Sequence, residues 1–432
     1  MKLSIYNSYL PLDDASVLVF NAMEDSFLSV FGYCFDGNTP LDEIRKNVTE
    51  ETWDNLVKGG VVVEKEKDEI EELRALIKKV DEDDSIFILH VNPTLDCNFK
   101  CWYCYETHKP GSRIDSATTA SLLSLVESII QEKPNLRAFD LSFFGGEPLL
   151  AFDEVLRIIR GVKELLAGKE IRLYISFTTN AYLLDEDKIE KLMPYRPGFQ
   201  ITLDGGPEHH DKTRFEKGGK PSFKRIFQNI TRCVENDMAV TLRVNFTTKN
   251  IDSVSEIVER LKEISENKRT YLSVDFQRVW QDGGRIVDET YEKAKEYRSA
   301  LRALGYHTPN NRIIHGVMNS CYGDKKNYLL VNYNGDVYCC TAREFSSANR
   351  MGRLTGADVE WEAEKRDAFL ECKFSQPVCW NCRIAPLCGG GCRRQAMEHI
   401  PLGEDCMYNR SDSDIDELIL ERFEERYINN HN

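Results

Sequence analysis

Cysteines are the residues of this chain best suited to chemistry, and the fourteen of them are unevenly placed. Cys34 and Cys233 stand alone, three cysteines fall within residues 97–104, and nine fall within residues 321–406. The N-terminus lacks the basic-then-apolar order of a signal peptide, so we expect a cytoplasmic protein. Thiols stay reduced there, which predicts metal ligation rather than disulfides. We therefore predict two kinds of metal site and two isolated core thiols.

The first cluster is Cys97-x3-Cys101-x2-Cys104, directly after a predicted strand at residues 86–91. Active sites of βα barrels gather at the carboxyl ends of strands, so the position is typical of a functional site. A four-iron cluster normally takes four cysteines, one per iron. With three, one iron would stay open for substrate or cofactor, as one position stays open in catalytic zinc sites. A zinc site or buried thiols are the alternatives.

The elements that must position this cluster alternate between strand and helix. Strands are predicted at residues 86–91, 139–144, 171–177, 199–203, 240–246 and 271–276, and helices at 116–131, 153–166, 222–236 and 254–265. Repeated βα units close into a barrel or a doubly wound sheet. Because a full barrel has eight strands, we predict an α/β fold with a partial (β/α)6 barrel over residues 86–280.

Two further features carry a family resemblance. Tyr103 precedes the last cysteine of the cluster, and Gly145, Gly146, Glu147 and Pro148 end the second predicted strand. Glycines let a backbone approach a ligand closely, and carbonyls with a carboxylate accept from an ammonium. With the three-cysteine spacing, the chain resembles the radical S-adenosylmethionine (SAM) enzymes. The resemblance implies that the aromatic residue lies near adenine and that the GGEP segment binds the SAM amino group.

Weaker matches follow the later strands. Asn180 resembles the family's polar segment facing the ribose, although Ala181 stands where members usually have glycine. Asp204 belongs to a segment resembling the family's LDG sequence. Arg243 and Asn245 lie two apart on one strand, so both face one side, which we predict to be the barrel interior. A buried hydrogen-bonded pair is the alternative for these two residues.

The second cluster resembles the SPASM domain of some radical SAM enzymes. Its spacing is Cys379-x2-Cys382-x5-Cys388-x3-Cys392 with Cys406 beyond, preceded by Cys321-x13-Gly335-x4-Cys340. The resemblance implies two auxiliary four-iron clusters, giving three in all. It assigns Cys321, Cys340 and Cys392 to the first auxiliary cluster and Cys379, Cys382, Cys388 and Cys406 to the second. A zinc ribbon, the alternative, needs four cysteines and leaves three unexplained.

One departure concerns the first auxiliary cluster. Sulfatase-maturing members have an extra cysteine shortly after the first SPASM cysteine, and residues 322–330 contain none. The fourth ligand would then be Cys339 or Cys372, or one iron would stay open for a substrate thiolate. Cys372 is alternatively a buried thiol. In the same region, Asn334-Gly335 between two apolar runs predicts a hairpin with a type I′ turn.

Residues 1–85 are predicted to be a separate small domain. Helical spacing from residue 40, a Gly59-Gly60 break, a short strand at residues 61–63 and a helix over 68–80 match a winged-helix outline. Many peptide maturases carry such a segment, which captures the precursor's leader, often as a strand added to a sheet edge. A packing extension is the alternative. The remaining predicted divisions are a barrel at 86–280, a bridging region at 281–320, the SPASM domain at 321–410 and a closing helix at 411–432.

Composition narrows the function classes. Of 432 residues, 41% are hydrophobic and 29% charged, which is ordinary for a globular protein. The net charge of −15 argues against nucleic acid as a partner, and no apolar run is long enough to span a membrane. His209 and His210 lie in a polar stretch and are expected to be solvated.

The resemblance implies that the enzyme cleaves SAM to a 5′-deoxyadenosyl radical, with flavodoxin or ferredoxin as reductant and auxiliary clusters accepting an electron. SPASM members mostly modify peptides, so we predict a maturase that forms a thioether or carbon–carbon cross-link in a ribosomally made precursor peptide, bound through its leader. One alternative is a sulfatase maturase forming formylglycine, with Asp275 at the end of the sixth strand as base. A lone Asp there is equally typical of a cap or ion pair. Another alternative function is an iron–sulfur carrier or leader-binding scaffold, which would not need the GGEP segment.

Overall fold

The computed structural model describes residues 1–282, 289–309, 316–402 and 405–428. Parts of three predicted divisions lie outside these residues: 283–288 and 310–315 of the bridging region, 403–404 of the SPASM domain and 429–432 of the closing helix. Among the helices described, none combines the length and apolarity needed to cross a bilayer.

The strands are β1 (Lys2–Leu3), β2 (Asn7–Asp13), β3 (Ser16–Asn21), β4 (Ser26–Phe31), β5 (Val62–Val63), β6 (Ile86–Asn92), β7 (Ala138–Phe143), β8 (Arg172–Thr179), β9 (Gly198–Leu203), β10 (Val240–Phe246), β11 (Leu272–Arg278), β12 (Tyr328–Asn332), β13 (Asp336–Tyr338), β14 (Gly352–Thr355) and β15 (Asp358–Trp361). The helices are α1 (Leu41–Asn47), α2 (Glu50–Lys58), α3 (Glu69–Asp81), α4 (Ser116–Glu132), α5 (Phe152–Leu165), α6 (Glu186–Leu192), α7 (Pro207–Thr213), α8 (Phe223–Glu235), α9 (Val254–Leu261), α10 (Glu289–Ala303), α11 (Ala363–Glu371), α12 (Pro377–Trp380), α13 (Ala385–Cys388), α14 (Arg393–His399) and α15 (Asp412–Phe423).

The described residues form two compact units. The barrel unit contains residues 84–282, 289–309 and 327–363, and the terminal unit contains residues 1–83, 316–326, 364–402 and 405–428. The terminal unit thus joins the N-terminal segment to most of the C-terminal cysteines, an association that the sequence pattern did not predict.

Six consecutive parallel strands, β6 to β11, form the centre of the barrel unit. The predicted partial barrel with crossover helices is confirmed. Along β7 and β9 every second residue is fully buried, and the half-buried residues between them face the opposite side of the sheet. The buried face carries stacked rings, with centroids 5.1 Å apart for Phe143–Phe177 and 5.4 Å for Phe177–Phe199. The sheet therefore presents one apolar face to its helices and one polar face to the interior.

The barrel sheet continues beyond its predicted end. β12 pairs in parallel with β6, and β13 to β15 follow in antiparallel pairing. The hairpin predicted around residue 334 joins β12 and β13, but its type I′ turn is wrong. A type I′ turn needs positive φ at two central residues. Here only Gly335 has one (φ 80°), in a three-residue loop closed by its N–H donating to the Asn332 carbonyl at 2.8 Å.

The terminal unit is built on a three-stranded antiparallel sheet, β2-β3-β4, that was not predicted. Every residue of β3 is buried, because both faces of the sheet are covered. Val17 and Val19 pack with residues of α1 and α2. Leu18 and Phe20 pack with residues of α3 and α15. The predicted break and strand at residues 59–63 and the helix after them are present, and Asp68 caps α3 by accepting from the Glu71 N–H. The winged-helix assignment stays a prediction.

Candidate functional site

A cavity of about 200 Å³ opens at the carboxyl ends of β6 to β11. The loop after β6 contributes the three predicted cysteines, and the loop after β7 contributes Gly145 and Gly146. Polar residues of the interior face, Thr178, Gln200 and Thr202, line its wall. Strand ends of a βα barrel meet at one edge, so residues from six separate elements converge here.

Cys97, Cys101 and Cys104 all line this cavity. Burial raises the pKa of the Cys97 thiol to about 12, and burial also raises the pKa of Cys101 and Cys104. The Arg214 guanidinium opposes that increase at each thiol. Among the described residues no three cysteine, histidine or acidic side chains converge on one point as ligands of a single ion do. Ligands of a four-iron cluster bind different irons and need no such convergence.

The GGEP turn packs against the cysteine loop. An added Cβ at Gly145 would lie 2.4 Å from the Thr94 carbonyl oxygen, and one at Gly146 would lie 2.2 Å from the Asp96 carbonyl oxygen. The glycines therefore permit close approach of protein backbone. The Glu147 carboxylate, predicted to accept from an ammonium, is fully buried and does not line the cavity.

Glu147 connects the ends of two neighbouring strands instead. Its carboxylate accepts from the Thr179 hydroxyl at 2.6 Å, the Asn180 N–H at 2.8 Å and the Leu149 N–H at 3.1 Å. Pro148 begins the buried turn that follows and also lies outside the cavity lining. These contacts fix the loop after β7 to the loop after β8.

A buried polar network surrounds the Tyr103 hydroxyl. Burial raises the pKa of Tyr103, so the hydroxyl stays protonated and donates to the Asp204 carboxylate at 2.7 Å. The same oxygen accepts from Arg214 Nη1 at 2.7 Å and from Asn245 Nδ2 at 3.1 Å. Arg243 Nε in turn donates to the Asn245 carbonyl oxygen at 3.1 Å. Four of the predicted site residues are thus linked through one hydroxyl.

Arg214 was missed by sequence reasoning, although it follows β9 at the end of the barrel where the site lies. The buried side chain of His210 helps to fix the position of Arg214. His210 was expected to be solvated, but this is wrong: the ring is fully buried in α7. Burial lowers the pKa of His210, so the ring is neutral. Its Nδ1 accepts from the Asp204 N–H at 3.2 Å and its Nε2 lies 2.9 Å from the Ser222 hydroxyl, which donates to the Arg214 carbonyl at 2.5 Å.

The remaining predicted site residues differ in whether they line the cavity. Asn180 lines the cavity and donates to the Asn98 side chain at 2.8 Å. Arg243 and Asn245 line it as well, and they also form the hydrogen-bonded pair named as their alternative. Asp275 lies in the middle of β11 rather than at its end, because the strand extends to Arg278. Its carboxylate accepts from Gln277 Nε2 at 3.0 Å, burial raises its pKa, and it does not line the cavity.

In the terminal unit four cysteines lie close to one another. Burial raises the pKa of Cys379 to about 11, and the neighbouring Cys388, Cys406 and Cys382 raise it further. Arg410 Nη1 lies 3.7 Å from the Cys388 sulfur, and it opposes the increase in the pKa of Cys388 that burial causes. These are the four cysteines that the resemblance assigned to one auxiliary cluster.

The other C-terminal cysteines are divided between the units. Cys321 and Cys392 belong to the terminal unit, whereas Cys340 and the buried Cys339 belong to the barrel unit. The Cys340 sulfur accepts from the Ala342 N–H at 3.2 Å. The Cys372 thiol is buried between the carbonyls of Phe369 at 3.1 Å and Arg393 at 3.0 Å, as expected of a protonated thiol. The fourth ligand of the first auxiliary cluster stays a prediction.

Replacing Tyr103 with Phe is expected to destabilise the barrel unit by about 2 kcal/mol, because Asp204, Arg214 and Asn245 each lose a buried partner. Thermal unfolding under anaerobic conditions measures this loss. Tyr174→Phe is the matched control, because that ring is exposed on β8. Equal melting temperatures for the two variants would contradict a stabilising role for the Tyr103 hydroxyl.

Comparisons with known proteins agree with the fold. Residues 91–261 match the family model of the radical SAM superfamily. The chain is 24% identical over 348 residues to the cysteine-type anaerobic sulfatase-maturating enzyme of Clostridium novyi, covering 71% of this chain and 88% of that one.

Two solved structures share the fold. The structure titled native anSMEcpe with bound AdoMet and Cp18Cys peptide has a TM-score of 0.60 at 20% identity, covering 80% of this chain and 99% of that one. Streptococcus suis SuiB bound to its precursor peptide SuiA has a TM-score of 0.54 at 13% identity, covering 95% of this chain and 100% of that one. With three cysteines gathered at the strand ends of a partial barrel, residues 91–261 form the radical SAM domain of this enzyme.

Proposed function

We propose that this enzyme is a peptide maturase that installs a thioether or carbon–carbon cross-link in a ribosomally made precursor peptide. The observation that carries the proposal is the extent of the structural match. SuiB, bound to a precursor peptide, matches 95% of this chain, whereas the sulfatase-type structure matches 80%. The proposal therefore accounts for more of the chain than the barrel and its clusters alone.

The cavity residues fit the cofactors of the family, a four-iron cluster and SAM. Three thiols supply three of four iron ligands and leave one iron open. Two polar groups also lack partners: within the described part of the chain, Arg214 Nε and both carboxyl oxygens of Glu106 are buried without a hydrogen bond, and burial raises the pKa of Glu106. Both residues line the cavity. An amino-acid group carries a carboxylate and an ammonium, so the methionine part of SAM satisfies both.

When bound, the reduced cluster and SAM supply a radical that removes a hydrogen atom from the substrate, and auxiliary clusters supply an acceptor for the remaining electron. The protein's own contribution is positional. Tyr103, Asp204 and Asn245 hold the Arg214 guanidinium at the cavity wall. Thr178, Gln200 and Thr202 offer hydrogen bonds for a sugar and base.

The N-terminal sheet supports capture of a leader peptide. Its two edges differ, because β2 carries Pro11 and a bulge between Pro11 and Asp13, features that block strand addition. β4 has no proline and no register shift against β3. Phe31 at its end is 75% exposed. We therefore assign leader binding to the free edge of β4, by strand addition.

The test of the function uses two kinds of probe. Anaerobically purified, reconstituted enzyme is incubated with SAM and dithionite, and with either the Cp18Cys peptide or synthetic peptides matching the short reading frames beside its gene. We expect one neighbouring peptide to lose the mass of two hydrogen atoms while Cp18Cys stays unchanged. Formylglycine in Cp18Cys would support the alternative, a sulfatase maturase. Formation of 5′-deoxyadenosine without change in either probe would contradict both functions.

The sulfatase alternative requires a base near the substrate. Its candidate, Asp275, is buried within β11, bonded to Gln277 and flanked by Arg243 and Arg298. These partners suit a structural carboxylate better than a group that must take a proton in the cavity. The geometry therefore favours the cross-linking maturase.

Replacing Phe31 with Ser should weaken binding of the peptide that the assay identifies about tenfold, because an exposed aromatic side chain at the proposed edge loses its contact. Fluorescence anisotropy of the labelled peptide measures the affinity. Leu12→Ser, an exposed apolar residue on the opposite edge strand β2, is the matched control. If only Leu12→Ser weakened peptide binding, the leader would be assigned to the edge of β2 instead.

A further inference from the structure

The mouth of the cavity is aromatic. Among the described residues two tryptophans are exposed, Trp102 at 55% and Trp280 at 68%, and both lie beside the cysteine cavity. Trp280 lines that cavity together with Tyr105, which is 39% exposed. Trp102 lines an adjoining cavity, and Tyr103 and Val279 line both. Exposed clusters of large apolar side chains mark sites of interaction.

The backbone that carries Trp280 is held firmly. The Val279 N–H donates to the Phe246 carbonyl at 3.0 Å, and Gln281 Nε2 donates to the Tyr103 carbonyl at 2.7 Å. Asp282 accepts from the Thr248 N–H at 2.9 Å and pairs with Arg278 at 3.5 Å. Because this backbone is already fixed, binding at the exposed indole need not order the chain first, which lowers the entropy cost of binding.

The charges behind this mouth restrict what enters. Three arginines (Arg214, Arg243 and Arg278) and one acidic residue (Glu106) line the same cavity, so its lining does not favour a cationic side chain. The rings at the mouth offer apolar contact instead. The bound residue must also reach the cavity that the cysteines line, and a second copy of the folded chain would be too bulky to do so.

We propose that a large apolar side chain of the substrate peptide, aromatic by preference, packs against Trp280 and Tyr105 and so directs the neighbouring residue into the cavity. The proposal rests on the peptide-maturase function and names the side chain that this site selects. Trp280 is a specificity-determining residue in this scheme, with Tyr105 as its partner surface. Aromatic side chains supply much of the binding energy at such contacts.

A binding experiment tests the proposal without turnover. The full chain is labelled with 5-fluorotryptophan, which marks its five tryptophans, and the resonances are assigned with Trp280→Phe and Trp102→Phe. N-acetylphenylalaninamide is the probe, and N-acetylglutaminamide is the polar control. We expect the Trp280 resonance to shift with the aromatic probe alone while that of Trp53, in the terminal unit, stays fixed. An unmoved Trp280 resonance, equal shifts with both probes, or a shift on raising protein concentration alone would overturn the proposal.

A kinetic experiment gives a second readout. Trp280→Ser should raise KM for the modified peptide about tenfold or more with a smaller change in kcat, because binding rather than chemistry is lost. Tyr174→Ser, an exposed ring of the same unit lining a different cavity, should leave both constants unchanged. A fall in kcat alone would overturn the proposal. If Trp280→Ser modifies the peptide as well as the parent does, this inference is rejected and the proposed function stands. If the Trp280 resonance shifts with the aromatic probe but no peptide is modified, the proposed function is rejected.

Discussion

Replacing Cys101 with Ala is expected to abolish SAM cleavage and to remove about four iron atoms per chain, the content of one four-iron cluster. Cys101 lies between Cys97 and Cys104 in the loop after β6, and all three sulfurs line the cavity. Only three thiols are gathered there, so losing one leaves two ligands for four irons. Iron and sulfide analysis with chromatographic detection of 5′-deoxyadenosine measures both effects.

Cys233→Ala is the matched control for this prediction. Cys233 is buried in α8 within the apolar core of the barrel unit and does not line the cavity, as expected of an inert core thiol. This variant should keep its iron and its SAM cleavage, although the small cavity lowers stability. Loss of iron from Cys233→Ala, or full SAM cleavage by Cys101→Ala, would contradict the assignment of the cluster.

Local patterns were sufficient to predict the barrel. Strand β10 was predicted with the bounds that the structure has, and α4 begins at its predicted first residue, Ser116, where Asp115 caps it by accepting from the Thr118 N–H. Buried parallel strands are nearly continuous apolar runs, and their helices carry one apolar stripe. Such signals depend on a few neighbouring residues, so they remain visible in a single sequence.

The terminal unit was harder to predict because its strands depend on distant partners. β3 is buried on both faces, and one of those faces packs with α15, nearly 400 positions along the chain. At the start of β4, Arg422 and Arg426 both pair with Asp25. No local pattern reveals that residues from the two ends of a chain cover one sheet. The predicted winged-helix segment accordingly omitted β2, β3 and β4.

The site shows the same division between local and distant information. Spacing identified Cys97, Cys101 and Cys104, whose positions follow from one short loop. It did not identify Arg214, because the buried ring of His210 and the hydroxyl of Tyr103 set its position. Glu147 was assigned to the cofactor from the GGEP motif and the ability of a carboxylate to accept from an ammonium, whereas its oxygens are already used by the protein. Unused oxygens are found on Glu106 instead, in the loop beyond the cysteines.

A substitution among the four neighbouring cysteines of the terminal unit should separate SAM cleavage from peptide modification. Replacing Cys388 with Ala should remove about four irons per chain, and it should leave 5′-deoxyadenosine formation intact while peptide modification is lost. Cys388 lies near Cys379, Cys382 and Cys406 in the terminal unit, whereas the SAM site lies in the barrel unit. A cross-link removes two hydrogens from the peptide, so the electron left behind needs an acceptor apart from SAM. Mass spectrometry of peptide and nucleoside in one reaction measures both yields.

Cys372→Ala distinguishes a cluster ligand from a buried thiol in the same unit. Its sulfur lies 3.1 Å from the Phe369 carbonyl and 3.0 Å from the Arg393 carbonyl, two acceptors that favour a thiol over a thiolate, so it should stay protonated and bind no iron. The variant should keep the iron content of the parent, which we predict to be about twelve atoms if three clusters are present. Loss of iron from Cys372→Ala would instead identify it as the fourth ligand of the first auxiliary cluster. If Cys388→Ala kept full peptide modification, the electron would leave the substrate by a route that does not involve the terminal unit's four cysteines.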